Sequence, residues 1–192
     1  MARVSDYEKS RDERASGGRR GIPVIRMDVG GKIRVRFLAD YPDGVVLFFH
    51  EGVRTKSGRT TFVACFRNEE YREKSGGVCP YCDEGMRRTR RFYWPVWDYA
   101  NNDVKLLAGK DTSYGIVSTL REYYESEGTI CDRDWTIVRR PDPSRPNSSV
   151  YRALPDSKSS FNLVLPDSNE SGVSVPSYED IVRSLEPMEL RD

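Results

Sequence analysis

The sequence contains little of the two residue types that most often bind transition metals, with one histidine and four cysteines among 192 residues. It has no apolar run near the roughly 18 residues that a membrane-spanning helix needs, and its N-terminus lacks the apolar centre of a secretory signal. These absences argue against a membrane protein and predict a reducing cytoplasm, where disulfides are rare. The cysteines are therefore expected to be thiols or metal ligands, and hydrolysis assisted by two histidines is excluded.

The net charge of +1 conceals an uneven distribution. From Asp167 to the end the chain has seven acids and two arginines, a net charge of −5, so the remainder carries +6. This asymmetry predicts a basic body that meets a polyanion and an acidic tail that meets another partner or competes with the polyanion. The alternative is that the charges are scattered for solubility.

The pattern of apolar residues divides the chain into three parts: a charged segment over 1–22 that we expect to be disordered, a core over 23–165, and an acidic tail over 166–192. In the core, Ile33, Val35 and Phe37 alternate with cationic residues, which is typical of a half-buried strand. Further short strands are expected in VVLFFH, RTTFVACF, RRFYWPVWDY, DVKLLA, DWTIVRR and SVYRALP.

One segment, KDTSYGIVSTLREYYESEG, has helical spacing, a polar cap at Asp111 or Thr112, and Gly128 as its stop. Many short strands with one main helix favour a mainly β fold. We expect an OB-fold barrel with an inserted zinc-binding subdomain at about 50–90.

The segment Cys79-Pro-Tyr-Cys82 has the spacing that lets two thiolates bind one zinc ion, after a turn eased by Gly76 and Gly77. Cys65 and His50 would complete a tetrahedral site. Cys131 is a rival to His50 as the fourth ligand. Two alternatives to a metal site are a redox pair, which would need a βαβ unit that the sequence pattern lacks, and cysteines that pack as free thiols without a metal. Four protein ligands leave no open position for water, so we expect one structural Zn²⁺.

Directly after Cys82, arginines run into a series of aromatic residues, the combination that binds the phosphates and bases of single strands. Strand parity places Tyr93, Trp97 and Tyr99 on one face, which we expect to meet bases, and the alternating set Phe92, Trp94 and Val96 in the core. A plain core role for all these rings is the alternative. The candidate nucleic-acid-binding residues are Arg34, Arg36, Arg87, Arg88, Arg90, Arg91, Tyr93, Trp97 and Tyr99.

The order VRFLADYPDGVVLFFHEG, a cysteine, CPYC and a strand beginning FYW resembles the zinc-containing single-stranded DNA-binding proteins of T4-type bacteriophages and their relatives. The resemblance extends roughly over 31–154. It implies an OB-fold with a zinc subdomain, whose ligands would here be His50, Cys65, Cys79 and Cys82. It also implies a non-enzymatic protein that coats single-stranded DNA in replication, recombination and repair, in the cytoplasm of an infected bacterium.

In that family a basic N-terminal segment promotes self-association on DNA, and an acidic tail recruits replication or recombination proteins. Here residues 1–20 contain six basic and four acidic residues. The tail has Ser177 and Asp180 at capping-box spacing, followed by an apolar stripe of Ile181, Val182 and Leu185. This stripe either docks on a partner or belongs to a frayed, solvated tail.

Two other function classes share some of these features. A zinc-ribbon transcription or RNA-binding module would have the same basic and aromatic surface, with a preference for particular bases or for the 2′-hydroxyl. A metal-dependent nuclease would need carboxylates around an open metal, and no such group stands out in the sequence.

Overall fold

The computed structural model describes residues 21–54, 60–112, 115–142, 149–160 and 175–187. The predicted disorder of the first 22 residues falls mostly on 1–20, which lie outside the described residues. The division into three parts stays a prediction.

Every segment in which the sequence predicts a strand forms one, so the prediction of a mainly β fold is confirmed. Short 3₁₀ turns lie at Tyr41–Asp43 and Glu69–Tyr71. The strands are β1 (Lys32–Phe37), β2 (Val45–Arg54), β3 (Thr60–Ala64), β4 (Arg88–Asp98), β5 (Asp103–Lys110), β6 (Arg133–Pro141) and β7 (Ser149–Lys158). The helices are α1 (Arg72–Ser75), α2 (Pro80–Asp83), α3 (Ile116–Glu127) and α4 (Tyr178–Leu185).

Strand β4 lies at the centre of a single sheet in which all strand pairs are antiparallel. Its first half pairs with β2 and its last residues with β1, while β5 follows its other edge. Beyond β1 the sheet continues to β6 and β7. No described pairing joins β7 to β5, so the predicted barrel is not closed. At Leu106 the edge of β5 instead bonds Pro23 and Ile25, with N···O distances of 2.9 and 2.8 Å.

The two faces of β4 belong to two different apolar cores. Phe92, Trp94 and Val96 lie in the first core, as strand parity predicts, together with Trp135 and the buried side of α3. Tyr93 points the other way, into a second core formed largely by alternate residues of β2 and β5. From Phe92 to Asp98, both faces of the central strand are therefore removed from water.

Helix α3 confirms the predicted helix, including its stop at Gly128, which has a left-handed φ of 79°. The predicted side-chain cap is wrong, because Gly115 is the N-cap residue and no side chain caps it. The helix approaches β5 closely at Gly109, where a Cβ would lie 2.6 Å from Ile116 Cγ2. A side chain at that position would push α3 away from the first core.

Helix α4 covers the second core. Ile181 is buried at 2 % exposure, and Val182 and Leu185 pack against the same cluster. The Tyr71 hydroxyl donates to the carbonyl of Val182 at 2.9 Å. The predicted capping box is confirmed, since Ser177 Oγ accepts from the Asp180 N–H at 3.2 Å. The apolar stripe of the tail is thus packed on the sheet, which decides against a frayed, solvated helix.

No helix in the described part of the chain is both long and apolar enough to cross a membrane.

Replacing Ile181 with alanine should lower the free energy of unfolding by about 2–4 kcal/mol, because it leaves a cavity in a buried cluster. Glu179→Ala on the exposed side of α4 is the matched control and should change stability by less than about 0.5 kcal/mol. Denaturant unfolding of both variants measures the difference. Equal, small effects of the two substitutions would mean that α4 does not stabilise the fold.

Candidate metal centre and basic face

Four side chains from separate parts of the chain meet beside the sheet. His50 lies on β2, Cys65 follows β3, Cys79 precedes α2 and Cys82 lies within it. Their ligand atoms all lie within 4.8 Å of one another. This cluster could hold a metal ion, and its members are the four residues that the sequence nominates.

Four of the six separations between the ligand atoms are close to the edges of a coordination tetrahedron. The Sγ atom of Cys65 lies 3.9 Å from that of Cys79 and 3.5 Å from that of Cys82. The Nε2 atom of His50 lies 3.4 Å from Cys79 Sγ and 3.5 Å from Cys82 Sγ. Ligands about 2.0–2.3 Å from a central ion are roughly 3.4–3.8 Å apart in a tetrahedron. The sulfur separations are far too long for a disulfide, and all four cysteines are free.

The electrostatics of the cluster favour a bound cation. Burial, followed by the neighbouring thiols of Cys65 and Cys79, raises the pKa of Cys82 to about 12. Burial works against ionisation of Cys79 too, but hydrogen bonds from the main chain of Cys82 and Phe66 keep its pKa below the ordinary value. Buried thiolates at this distance repel one another, and a bound metal ion would remove that repulsion. Burial also lowers the pKa of His50, which favours the neutral imidazole that binds metals.

The local backbone explains how Cys79 and Cys82 come together. The N–H groups of Cys82 and Asp83 both bond the carbonyl of Cys79, each at 3.1 Å, and close a tight turn. The chain enters this turn through Gly76 and Gly77, whose φ values of 61° and 76° are left-handed. Glycine adopts this conformation without steric cost.

Asn68 attaches the cysteine-bearing segment to β2. Its side-chain amide donates to the Phe48 carbonyl and accepts from the Phe48 N–H, each at 2.9 Å. The side chain thereby pairs with β2 beyond the end of β3, and it is buried at 4 % exposure. The sequence analysis did not single out Asn68. The signal for it was an asparagine placed three residues after the candidate ligand Cys65.

The rival ligand Cys131 lies outside this cluster, against the first core. Burial, with the Asp40 carboxylate close by, raises the pKa of its thiol to about 12. Cys131 is therefore a packing thiol.

The structure does not place all the predicted nucleic-acid contacts at the surface. Tyr93 and Trp97 are buried at 4 % and 9 % exposure, so the prediction that they form an open face with Tyr99 is wrong. Tyr93 is buried because the second core has a further layer above it, formed by α4 and the segment around Val24. In their present positions Tyr93 and Trp97 are not accessible for stacking with a base.

Arg34, Arg36 and Tyr99 gather around the buried carboxylate of Asp134. Arg34 and Tyr99 donate to it at 2.5 and 2.8 Å, and Arg36 lies 3.3 Å away. Arg36 is buried at 3 % exposure and also donates to the Ser159 carbonyl. Its predicted exposure is wrong, because β6 brings an acid against it, whereas Arg34 remains largely exposed.

A different aromatic residue lies beside the exposed arginines at the start of β4. Phe48 on β2 is 37 % exposed and pairs in register with Arg90, while the Arg88 guanidinium lies 4.3 Å from the centre of its ring. Side chains that pair across antiparallel strands project from the same face. We call this surface, made of Val46, Phe48, Arg88 and Arg90, the basic face. Exposed Arg87 immediately precedes it in the chain.

Arg91 projects from the opposite face of the sheet. Its guanidinium lies 3.9 Å from the centre of the ring of Phe62, which is 52 % exposed. Neither Phe48 nor Phe62 was a candidate from the sequence. In VVLFFHEG the alternation of a strand is compatible with either Phe48 or Phe49 pointing outward. Only the pairing of β2 with β4 shows that Phe48 is the exposed one.

Comparisons of the chain with family models, with curated proteins and with solved structures give no match.

The protein should bind one metal ion per chain. Metal analysis after dialysis should give a molar ratio near one for the unaltered protein and for Cys131→Ser, and a ratio near zero for His50→Ala and Cys79→Ser. Cys131→Ser is the matched control because it also removes one thiol. Loss of metal from Cys131→Ser, with retention in His50→Ala, would contradict this ligand set.

Proposed function

We propose that the protein binds single-stranded DNA without catalysing a reaction, and that a structural zinc ion holds the binding surface in shape. The observation that carries the proposal is the basic face, where the exposed ring of Phe48 lies against the Arg88 guanidinium and pairs across the strands with Arg90, directly beside the metal centre.

Zinc is the ion that the donor set fits best. Three sulfurs and one imidazole in tetrahedral spacing are typical of structural zinc sites, whereas calcium and magnesium prefer oxygen ligands. His50 and Cys65 are buried at 0 % exposure, and Cys79 is buried equally deeply. Four protein ligands complete the coordination, so this ion would stabilise the fold and would not activate water.

The sheet supports an OB-type architecture with an open seam. Strands β1, β4 and β5 pair consecutively, α3 follows β5, and β6 returns to pair with β1 and β7. The pairing of β5 with β7 that would close a barrel is replaced at Leu106 by the segment from Pro23 to Ile25. OB-folds are partly open barrels that often bind single-stranded nucleic acids.

Single strands suit the basic face better than a duplex does. Arg88 and Arg90 can neutralise phosphates along a strand, while the ring of Phe48 offers a surface on which one unpaired base can stack. Bases in a duplex are already stacked on their neighbours and do not present that surface. Arg87 extends the line of cations toward the metal centre, whereas Arg34 and Tyr99 share the opposite face of the sheet with Trp97 and lie outside this surface.

The acidic tail is proposed to recruit replication or recombination proteins, and the N-terminal segment to support self-association on DNA. The packing of Ile181 on the sheet restricts the first proposal. A partner would contact the charged side of α4, since its apolar stripe is already covered.

Fluorescence anisotropy with a labelled strand of mixed sequence tests the proposal. Affinity for the single strand should exceed that for the duplex, and it should fall steeply as salt increases, because bound phosphates release counterions. Phe48→Ala should weaken binding by about 5- to 150-fold, which corresponds to roughly 1–3 kcal/mol for one stacked base.

Phe62→Ala is the matched control, because Phe62 also lies beneath an arginine but on the opposite face. It should leave affinity nearly unchanged. A larger loss from Phe62→Ala than from Phe48→Ala would assign binding to the other face. Stronger binding of RNA than of DNA would favour an RNA-binding module, and equal binding of duplex and single strand would disprove the proposal.

A further inference from the structure

Next to the basic face, a carboxylate of the chain itself lies between two arginines. Both oxygens of Asp111 are used: Arg90 Nη2 bonds Oδ2, and Arg121 Nη2 lies 3.3 Å from Oδ1. The three side chains remain 49 %, 27 % and 42 % exposed for Arg90, Asp111 and Arg121. Two positive charges thus share one negative charge at a position that solvent reaches.

We propose that Arg90 and Arg121 form a phosphate-binding site, and that Asp111 occupies it as an internal competitor until a phosphate of the DNA replaces the carboxylate. This inference rests on the proposed function. It adds Arg121, which lies on α3 and belongs to no basic run in the sequence, to the binding surface.

The chemistry of the two anions supports the exchange. A carboxylate and a phosphodiester each carry one negative charge and offer two oxygens to the donors of a guanidinium group. Exchange therefore leaves Arg90 and Arg121 sharing one negative charge as before, while the displaced Asp111 carboxylate is solvated by water. Because the ion pairs of Asp111 are partly exposed, solvent screens them, so that a phosphate can displace the carboxylate at a modest cost in affinity.

Arg121 is held in place for this role by the first core. Its Nε donates to the Tyr41 hydroxyl at 3.0 Å, and the Tyr41 ring stacks on buried Trp94 at 5.9 Å between centroids. The guanidinium keeps this hydrogen bond whether Asp111 or a phosphate lies at its other end. Arg90 in turn is the cross-strand partner of Phe48, so a phosphate between Arg90 and Arg121 would lie on the same face of the sheet as the ring on which a base is proposed to stack.

A second carboxylate on the opposite face provides a close control. Glu51 Oε1 lies 3.2 Å from Arg91 Nη2 and 2.6 Å from Lys110 Nζ, so it also holds two cations. Asp111→Asn and Glu51→Gln therefore make the same change in net charge and release the same number of cations, on different faces.

The experiment measures the binding of full-length protein to a mixed-sequence single strand at several salt concentrations. Asp111→Asn should tighten binding by roughly three- to tenfold at low salt, because the competitor is removed. Glu51→Gln should tighten it by less than about twofold, the general effect of one added positive charge. Arg121→Gln should weaken binding and reduce the magnitude of the salt slope by about 0.7, the contribution of one phosphate contact on a single strand.

The failures of the two proposals are distinguishable. If the unaltered protein does not bind single-stranded DNA, both proposals are wrong. If it binds, but Asp111→Asn has no effect or Glu51→Gln tightens binding equally, only the site at Arg90 and Arg121 is disproved. Unchanged affinity and salt slope in Arg121→Gln, with thermal unfolding like that of the unaltered protein, would also disprove it.

Discussion

The rest of the fold depends on strand β4, which pairs with β1, β2 and β5 and contributes side chains to two apolar cores. Its residues alternate between a core beneath α3 and a core beneath α4, so Trp94 and Tyr93 are both buried although they point in opposite directions. A strand buried on both faces tolerates charge only near its ends. The arginines of β4 accordingly cluster in its first four residues, Arg88–Arg91, where the cores end.

The same pairing joins the metal centre to the basic face. His50 and Phe48 are two residues apart on β2 and therefore project from the same face, and their partners on β4 are Arg88 and Arg90. Asn68 fixes the backbone of Phe48 from the cysteine-bearing side. A metal ion that holds His50 against the cysteines would limit the movement of β2 at the point where Phe48 is presented. A structural ion can thus affect binding without contacting the ligand.

Features that depend on local sequence could be predicted. Features that depend on elements distant in the chain, which pack over a strand or pair beside it, could not. The four ligands were identified because a Cys-x-x-Cys turn and scarce soft ligands restrict the possibilities, and the strands because their alternation is clear. Parity also separated Phe92, Trp94 and Val96 from Tyr93 correctly. It failed to show that Tyr93 is covered, because that depends on α4, which lies far away in the chain. The burial of Arg36 likewise depends on Asp134, an acid brought beside it only by the pairing of β1 with β6.

The distribution of charge gives a reason why a polyanion would approach one face of the sheet rather than the other. Helix α4 places Glu179 and Asp180 at its first turn, on the side where it covers the second core. These carboxylates act over about 10 Å at moderate salt and would repel a nucleic acid from that side. On the basic face Arg88 is turned toward an exposed ring, and Asp111 bridges two arginines beside it. The carboxylates of α4 would therefore disfavour the approach of a polyanion to that side of the sheet.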